Sequence, residues 1–179
     1  RVFLNCNGLQ TINLPNSVTS LGDHVFYYCT GIESITLPDS ISTIGDGAFQ
    51  CCANLSEVNL PANLQSVPYH MFAFCDFLEK ITIPSNVTVI ESTAFWEAMG
   101  LTEIVITSSS TVIEDGAFTG CNTSQITIKA PANSPAQDFA QGSGMPSEVI
   151  TPSTGAPSAT PTPMPTSMPT TPPGTTPGD

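Results

Sequence analysis

The sequence predicts a β-rich solenoid, and three observations predict it. Apolar residues recur every 23 positions in several columns at once, a proline closes the apolar stretch of four successive units, and each unit's second half is too short for an α-helix. A fixed period between about 20 and 50 residues marks a solenoid or similar array. No unit buries its apolar side alone, so stacking the coils makes one continuous core.

Each unit opens on a strand. Its columns are Leu9, Ile32, Leu55, Leu78 and Leu101, then Ile12, Ile35, Val58, Ile81 and Ile104, then Leu14, Leu37, Leu60, Ile83 and Ile106. The alternation points these side chains inward and their neighbours outward. Pro15, Pro38, Pro61 and Pro84 end the strand, because proline has no N–H for a ladder. The second half carries Leu21, Ile44, Val67, Ile90 and Ile113, then Phe26, Phe49, Phe72, Phe95 and Phe118. Stretches such as TIGDGAFQC read as a tight return, turn or short 3₁₀ structure.

Cysteine keeps the same period. Cys6, Cys29, Cys52, Cys75 and Cys121 share one column, with Ala98 in the remaining slot. Neighbouring coils lie roughly 5 Å apart, so these side chains run parallel. Parallel side chains hold their sulfurs too far apart for a disulfide, and a straight row does not converge on a metal. A structural ladder of buried free thiols is expected. Cys51 aligns with Tyr28 and Phe74; an outward position and the core rim both stay open for it.

The repeat is best preserved in Ile44-Gly45-Asp46-Gly47-Ala48-Phe49 with Cys52, Leu55, Val58, Leu60 and Pro61, and over about residues 2–145 the chain resembles the BspA-like leucine-rich repeats. The resemblance implies a right-handed leucine-rich-repeat coil with a parallel sheet on its concave side and a small closing helix. It also implies a non-catalytic extracellular or cell-surface protein acting in adhesion and protein recognition. Two departures stand out. The fifth unit has Ala98 for cysteine and Thr107 for proline. In the last, Ile126 and Ile128 stand where 127 and 129 are expected, which reads as a terminal unit one residue short.

Three segments follow: a solenoid of about five to six units over residues 1–128, a C-terminal cap with a short helix over 129–150, and a Pro/Thr/Ser-rich tail over 151–179. Ser134 is the expected N-cap, Pro135 the first helical residue, and Gly142 or Gly144 the stop. Ala136, Phe139 and Ala140 share one face of that helix. In the tail, 21 of 29 residues are Pro, Thr or Ser. Such a segment has nothing to bury and favours polyproline II. It reads either as a plain stalk or as a mucin-like one, with O-glycosylation candidates Thr151, Thr154, Thr160, Thr162, Thr166, Thr170, Thr171, Thr175 and Thr176. At the other end, Val2-Phe3-Leu4-Asn5-Cys6 matches Val25-Phe26-Tyr27-Tyr28-Cys29, so the chain opens at the end of a coil. A fragment of a longer array and a processed terminus both fit that start, and no signal peptide is read there.

Net charge is −12, and Arg1, Lys80 and Lys129 are the only strong bases. Phosphate contacts need clustered Lys or Arg, so nucleic acid and anionic lipid are not expected partners. No apolar run of about 18 residues exists, so no direct membrane insertion by a helix is expected. Neither an enzyme, a cofactor nor a metal is expected. His24 and His70 share a column two coils apart and have no nucleophile beside them. Asp23, Asp46, Glu91, Glu114 and Asp115 read as a solvated acidic edge.

Binding candidates lie in two places. The outward strand positions, on the face solenoids generally use, are Thr11, Asn13, Ser34, Thr36, Glu57, Asn59, Lys80, Thr82, Glu103 and Val105. Tyr27, Tyr28, Tyr69, Phe74 and Trp96 sit in the opposite turn and are candidates for a lateral contact, or shields of the core rim. Asn54 and Asn122 are N-glycosylation candidates; Asn86, in the Ser17, Ser40, Asn63 and Ser109 column, is expected to face inward and be unavailable. The partner is thus a protein, or a second copy. The alternative to adhesion is a structural subunit that assembles head to tail into a filament with a glycosylated tail.

Overall fold

A computed structural model describes residues 3–151 as a stack of coils. In chain order the elements are β1 Ser20–Leu21, β2 Ser34–Thr36, β3 Thr43–Ile44, β4 Glu57–Asn59, β5 Ser66–Val67, β6 Lys80–Ile83, β7 Val89–Ile90, β8 Glu103–Ile106, β9 Val112–Ile113, β10 Thr127–Pro131, α1 Pro135–Gly142 and β11 Ser147–Ile150. Every strand pairing is parallel, as a repeating right-handed coil requires.

Parallel strands line two sides of the stack, each side in two sheets. On one side β2 pairs with β4, and β6, β8, β10 and β11 form a four-stranded sheet. On the return side β1 pairs with β3, and β5, β7 and β9 form a second, two-residue-deep ladder. The return side is therefore partly extended between its turns, and none of its described residues is 3₁₀. The reason lies in Leu21, Ile44, Val67, Ile90 and Ile113, each buried behind an outward neighbour. One outward and one inward residue make one full strand period.

The last coil corrects the expected register. Ile128 pairs with Ile104, 24 residues back, so that unit is one residue longer than the period, not shorter. Turns at 121–126 absorb the extra residue through the bonds Gln125 N–H to Asn122 O (3.0 Å) and Ile126 N–H to Thr123 O (3.4 Å).

The core is one cluster from coil to coil. Its spine is a file of phenylalanines: ring centroids of Phe3, Phe26, Phe49, Phe72, Phe95 and Phe118 follow one another at 5.3–5.8 Å, near-parallel, and Phe139 of α1 closes the file at 6.1 Å. Such aromatic pairs add about 0.5–1.5 kcal/mol each to their burial. Beside the file runs the thiol ladder. Cys29, Cys52, Cys75 and Cys121 donate to the carbonyls of Phe3, Phe26, Phe49 and Phe95, 26 residues back, at 2.8–3.3 Å. Each thiol thus bonds the preceding coil, and all six cysteines are free. Ala98 supplies no thiol, so Phe72 O lacks this bond.

The turn between the αL residues explains the GDGAF motif. Two columns have positive φ: His24, Gly47, His70, Thr93 and Gly116, and Asn5, Tyr28, Cys51, Phe74, Glu97 and Gly120. Glycine takes that conformation freely, whereas a side chain there costs roughly 1–2 kcal/mol. Successive turns are laced by bonds such as His24 N–H to Asp46 O (2.8 Å) and Tyr28 N–H to Gln50 O (2.9 Å), which hold the strained residues in place.

The helix forms where its capping signals stand. The Ser134 hydroxyl accepts from Gln137 N–H at 3.3 Å, Pro135 opens the first turn, and Ser143 caps the end. Gly144 turns the chain at φ +68. Beyond it comes β11, paired with β10 from Ile128↔Ser147 to Pro131↔Ile150, a strand the composition did not announce. Buried Gln137 ties helix to strand by donating to Glu148 O at 2.7 Å.

Candidate functional site

The strands put the outward residues into two rows. Register pairs Ser34 with Glu57, and Lys80 with Glu103 and then Thr127; the second row runs Thr36–Asn59, then Thr82–Val105–Lys129–Glu148. Inward neighbours Ile35, Val58, Ile81, Ile104 and Ile128 are buried, so the rows stand on a rigid apolar floor. The face is an open groove of about 1170 Å³, lined from Thr36 and Asp39 to Val105 and Thr107. Eight of the ten sequence candidates are strand residues here; Thr11 and Asn13 are exposed in the first coil, outside any assigned strand.

At the C-terminal end the groove carries an ion network. The Lys129 ammonium lies 3.0 Å from a Glu103 oxygen and 3.2 Å from a Glu148 oxygen, and Lys80 reaches Glu103 at 4.0 Å. Hydrogen bonds to Glu103 first, then to Glu148, raise the Lys129 pKa. Lys129, Thr127 and Glu148 were missed as candidates. A strict 23-residue step from Val105 lands on Ile128, and only the pairing of β10 and β11 reveals their places.

Lys80 and Lys129 are thus offset at this end, no ion pair among the described residues reaches Asp39, Glu57 or Glu79, and neutral amide and hydroxyl groups line the centre. Asn59 donates to the Thr36 hydroxyl at 3.3 Å, and Thr107 to Ile83 O at 3.0 Å. Chemically the face offers hydrogen bonds and paired charges to a partner. Among the described residues no group of three His, Cys, Asp or Glu side chains is placed to hold a metal.

The lateral aromatics form two clusters instead of one stripe. The Tyr27 ring lies tilted to Tyr28 (6.0 Å) and edge-on to His24 (5.7 Å); Trp96 sits 5.1 Å from Phe74 and 5.5 Å from His70, with Tyr69 6.2 Å from His70. Gln50 and Cys51 of the intervening coil separate them. Cys51 is a half-buried αL residue beside Tyr27, and its thiol pKa is raised by desolvation first.

The asparagine column needs correction. Asn63 and Asn86 are exposed on the outer edge, because their amides donate to Asp39 O and Ala62 O of the preceding coil (2.8 and 2.9 Å) instead of turning inward. Asn54 is likewise held, to Thr30 O at 2.8 Å, while the Asn122 amide oxygen accepts from the Ser124 hydroxyl of its own sequon at 2.8 Å. Of the tail candidates only Thr151 lies within the described residues, and it is exposed.

A stack of parallel-strand coils with a thiol ladder, a phenylalanine file and an open groove on one sheet defines a leucine-rich-repeat solenoid. The chain belongs to the BspA type leucine-rich repeat family, whose model matches in six copies over residues 1–131. A leucine-rich cell surface protein from Faecalibacterium prausnitzii is 31% identical with a TM-score of 0.65, over 73% of this chain and 34% of that one. A leucine-rich repeat protein of T. pallidum is 25% identical (TM-score 0.61), over 66% of this chain and 57% of that one. A third, from Bacteroides ovatus, is 24% identical with a TM-score of 0.55 over 74% of this chain and 46% of its own, and shows the fold alone. The chain thus spans about a third to just over half the length of these structures. No match is found among curated proteins.

Proposed function

We propose that the chain is a non-catalytic recognition module of the bacterial cell surface, binding a protein partner through the groove of the parallel sheet in an adhesive role. One observation carries this reading: two rows of outward polar side chains stand in register over a buried isoleucine and valine floor, forming an open groove of about 1170 Å³. A rigid floor lowers the entropy lost on binding. The F. prausnitzii relative, a leucine-rich cell surface protein, supports the location. No helix among the described residues is long and apolar enough to cross a membrane, so attachment would come from elsewhere. Residues 151–179 suit a spacer, and their threonines are the proposed carriers of glycan. Head-to-tail assembly has no observation among the described residues in its favour.

The test is surface plasmon resonance of the chain against an array of purified secreted and cell-surface proteins, alongside the double variant Asn59→Arg/Thr82→Arg. At least one protein is expected to bind, and to bind the variant at least about tenfold more weakly, since two bulky cations fill the groove centre. No binder, or equal binding by the variant, removes recognition through this face.

A further inference from the structure

The turn side carries a second surface that the groove reading leaves unused. Tyr28 and Tyr69 are 46% and 43% exposed, while the core file beneath them is already filled by Phe26, Phe49, Phe72 and Phe95. These aromatics therefore do not serve the core. Two of the bulky residues here stand where glycine would be less strained: Tyr28 (φ 60) and Phe74 (φ 59) share the column of Gly120. Every coil's turn requires this conformation, and at two of them it carries an aromatic ring, exposed at Tyr28 and half-buried at Phe74, that the core does not use. Trp96 leans over the preceding coil onto Phe74 and His70, giving a tilted aromatic platform beside Tyr69.

Carboxylates border this platform. The Glu91 N–H donates to Val67 O at 2.9 Å, which sets Glu91 beside the Tyr69 turn, and Gly47 N–H donates to Tyr69 O at 2.8 Å, which sets Asp46 on its other side; burial first, then the charges of Asp46 and Glu114, raises the Glu91 pKa. Glu114 itself accepts from Ser92 N–H at 2.9 Å. The two described lysines, Lys80 and Lys129, both lie on the groove side, paired to Glu103. The turn side thus combines partly open aromatic rings with carboxylates that no described lysine faces. A ring face attracts a cation, and a bordering carboxylate completes its pairing. Nearer the first coil, a cleft of about 360 Å³ beside His24 and Tyr27 continues the same side.

We propose that this lateral face is a second docking surface, for a basic polypeptide segment whose Arg or Lys side chains lie on Trp96 and Phe74 and pair with Glu91 and Asp46.

Trp96 is the only tryptophan in the chain, so its fluorescence reads this face alone. The full chain is titrated with hexa-arginine at physiological salt, with hexaglycine and a neutral oligosaccharide as controls. A saturable change in Trp96 emission is expected with hexa-arginine only. Phe74→Gly, which keeps the αL turn, and Glu91→Gln should each weaken it at least tenfold, with circular dichroism confirming the fold. Glu57→Gln removes one negative charge from the groove and should leave it unchanged. No saturable change with hexa-arginine, a response to either control, or equal weakening by Glu57→Gln, which would mark attraction by net charge alone, overturns the proposal. Because the groove variant Asn59→Arg/Thr82→Arg leaves this face intact, failure here is distinguishable from failure of the groove reading.

Discussion

Raising the pH above 9 should loosen the solenoid through its thiols. Cys52 is fully buried and donates to Phe26 O at 3.1 Å. Desolvation of the thiolate pushes its pKa from an ordinary 9.0 to about 12. Cys75, one coil further on, is pushed well up by the same cause. In the unfolded chain these thiols titrate near their ordinary value. Above pH 9 the unfolded state therefore holds fewer protons than the native state, and stability falls as pH rises. The contribution is complete below the unfolded pKa and is lost progressively as pH climbs through the folded one. For Cys52 alone the slope approaches about 1.4 kcal/mol per pH unit between the two pKa values, or ~2 kcal/mol between pH 9 and 11, since half of the unfolded thiol is still protonated at pH 9. Cys75 adds a loss of the same sign, and even that from Cys52 alone is a sizeable part of the ~5–15 kcal/mol that holds a typical domain together. Urea unfolding followed by circular dichroism at pH 8, 9, 10 and 11 measures it, in the wild type and in Cys52→Ala. The variant starts lower at pH 8, because a cavity replaces the sulfur. Its decline with pH should be shallower by about 1.4 kcal/mol per pH unit. Parallel declines would refute the claim that the ladder thiols stay protonated in the fold.

Three further substitutions probe the turn and the core. Phe72→Ala, in the middle of the aromatic file and fully buried, should cost about 3–5 kcal/mol in urea unfolding, and a loss under about 1 kcal/mol would mean the neighbouring rings collapse into the gap. Thr93 holds φ +60 in the column of Gly47 and Gly116, so Thr93→Gly should raise stability by up to about 1 kcal/mol, the relieved strain less the added chain entropy. Gly47→Val should lower it by at least about 1–2 kcal/mol, since its Cβ would also come 2.8 Å from the His24 ring; thermal unfolding that ranks the two variants the other way would overturn the strain argument.

How much of this was legible beforehand varies with the kind of residue. Ile35, Val58, Phe49 and Cys52 recur in phase, and one buried position per period is enough to place each of them in the core. Ser134 and Pro135 state a helix start in local chemistry alone, and α1 begins there. The αL columns were hidden because only Gly47 and Gly116 of one column, and Gly120 of the other, carry glycine. His24, Phe74 and Thr93 look like ordinary residues until coil-to-coil hydrogen bonds are seen to hold the turn.

By itself the sequence determined the period, the inward columns, the free thiols and the acidic, base-poor surface, because each follows from local pattern or from composition. The tertiary structure alone decided the rest. It set the register of β10, which an inserted residue shifts and which brings Lys129 between Glu103 and Glu148. It added β11, whose pairing depends on Gln137 and β10 and not on its own composition. It also turned Asn63 and Asn86 outward and gathered Phe74, His70 and Trp96 into one platform. These are relations between residues about 23 or more apart in the chain or on different elements, and only the packing of one coil on the next brings such residues together.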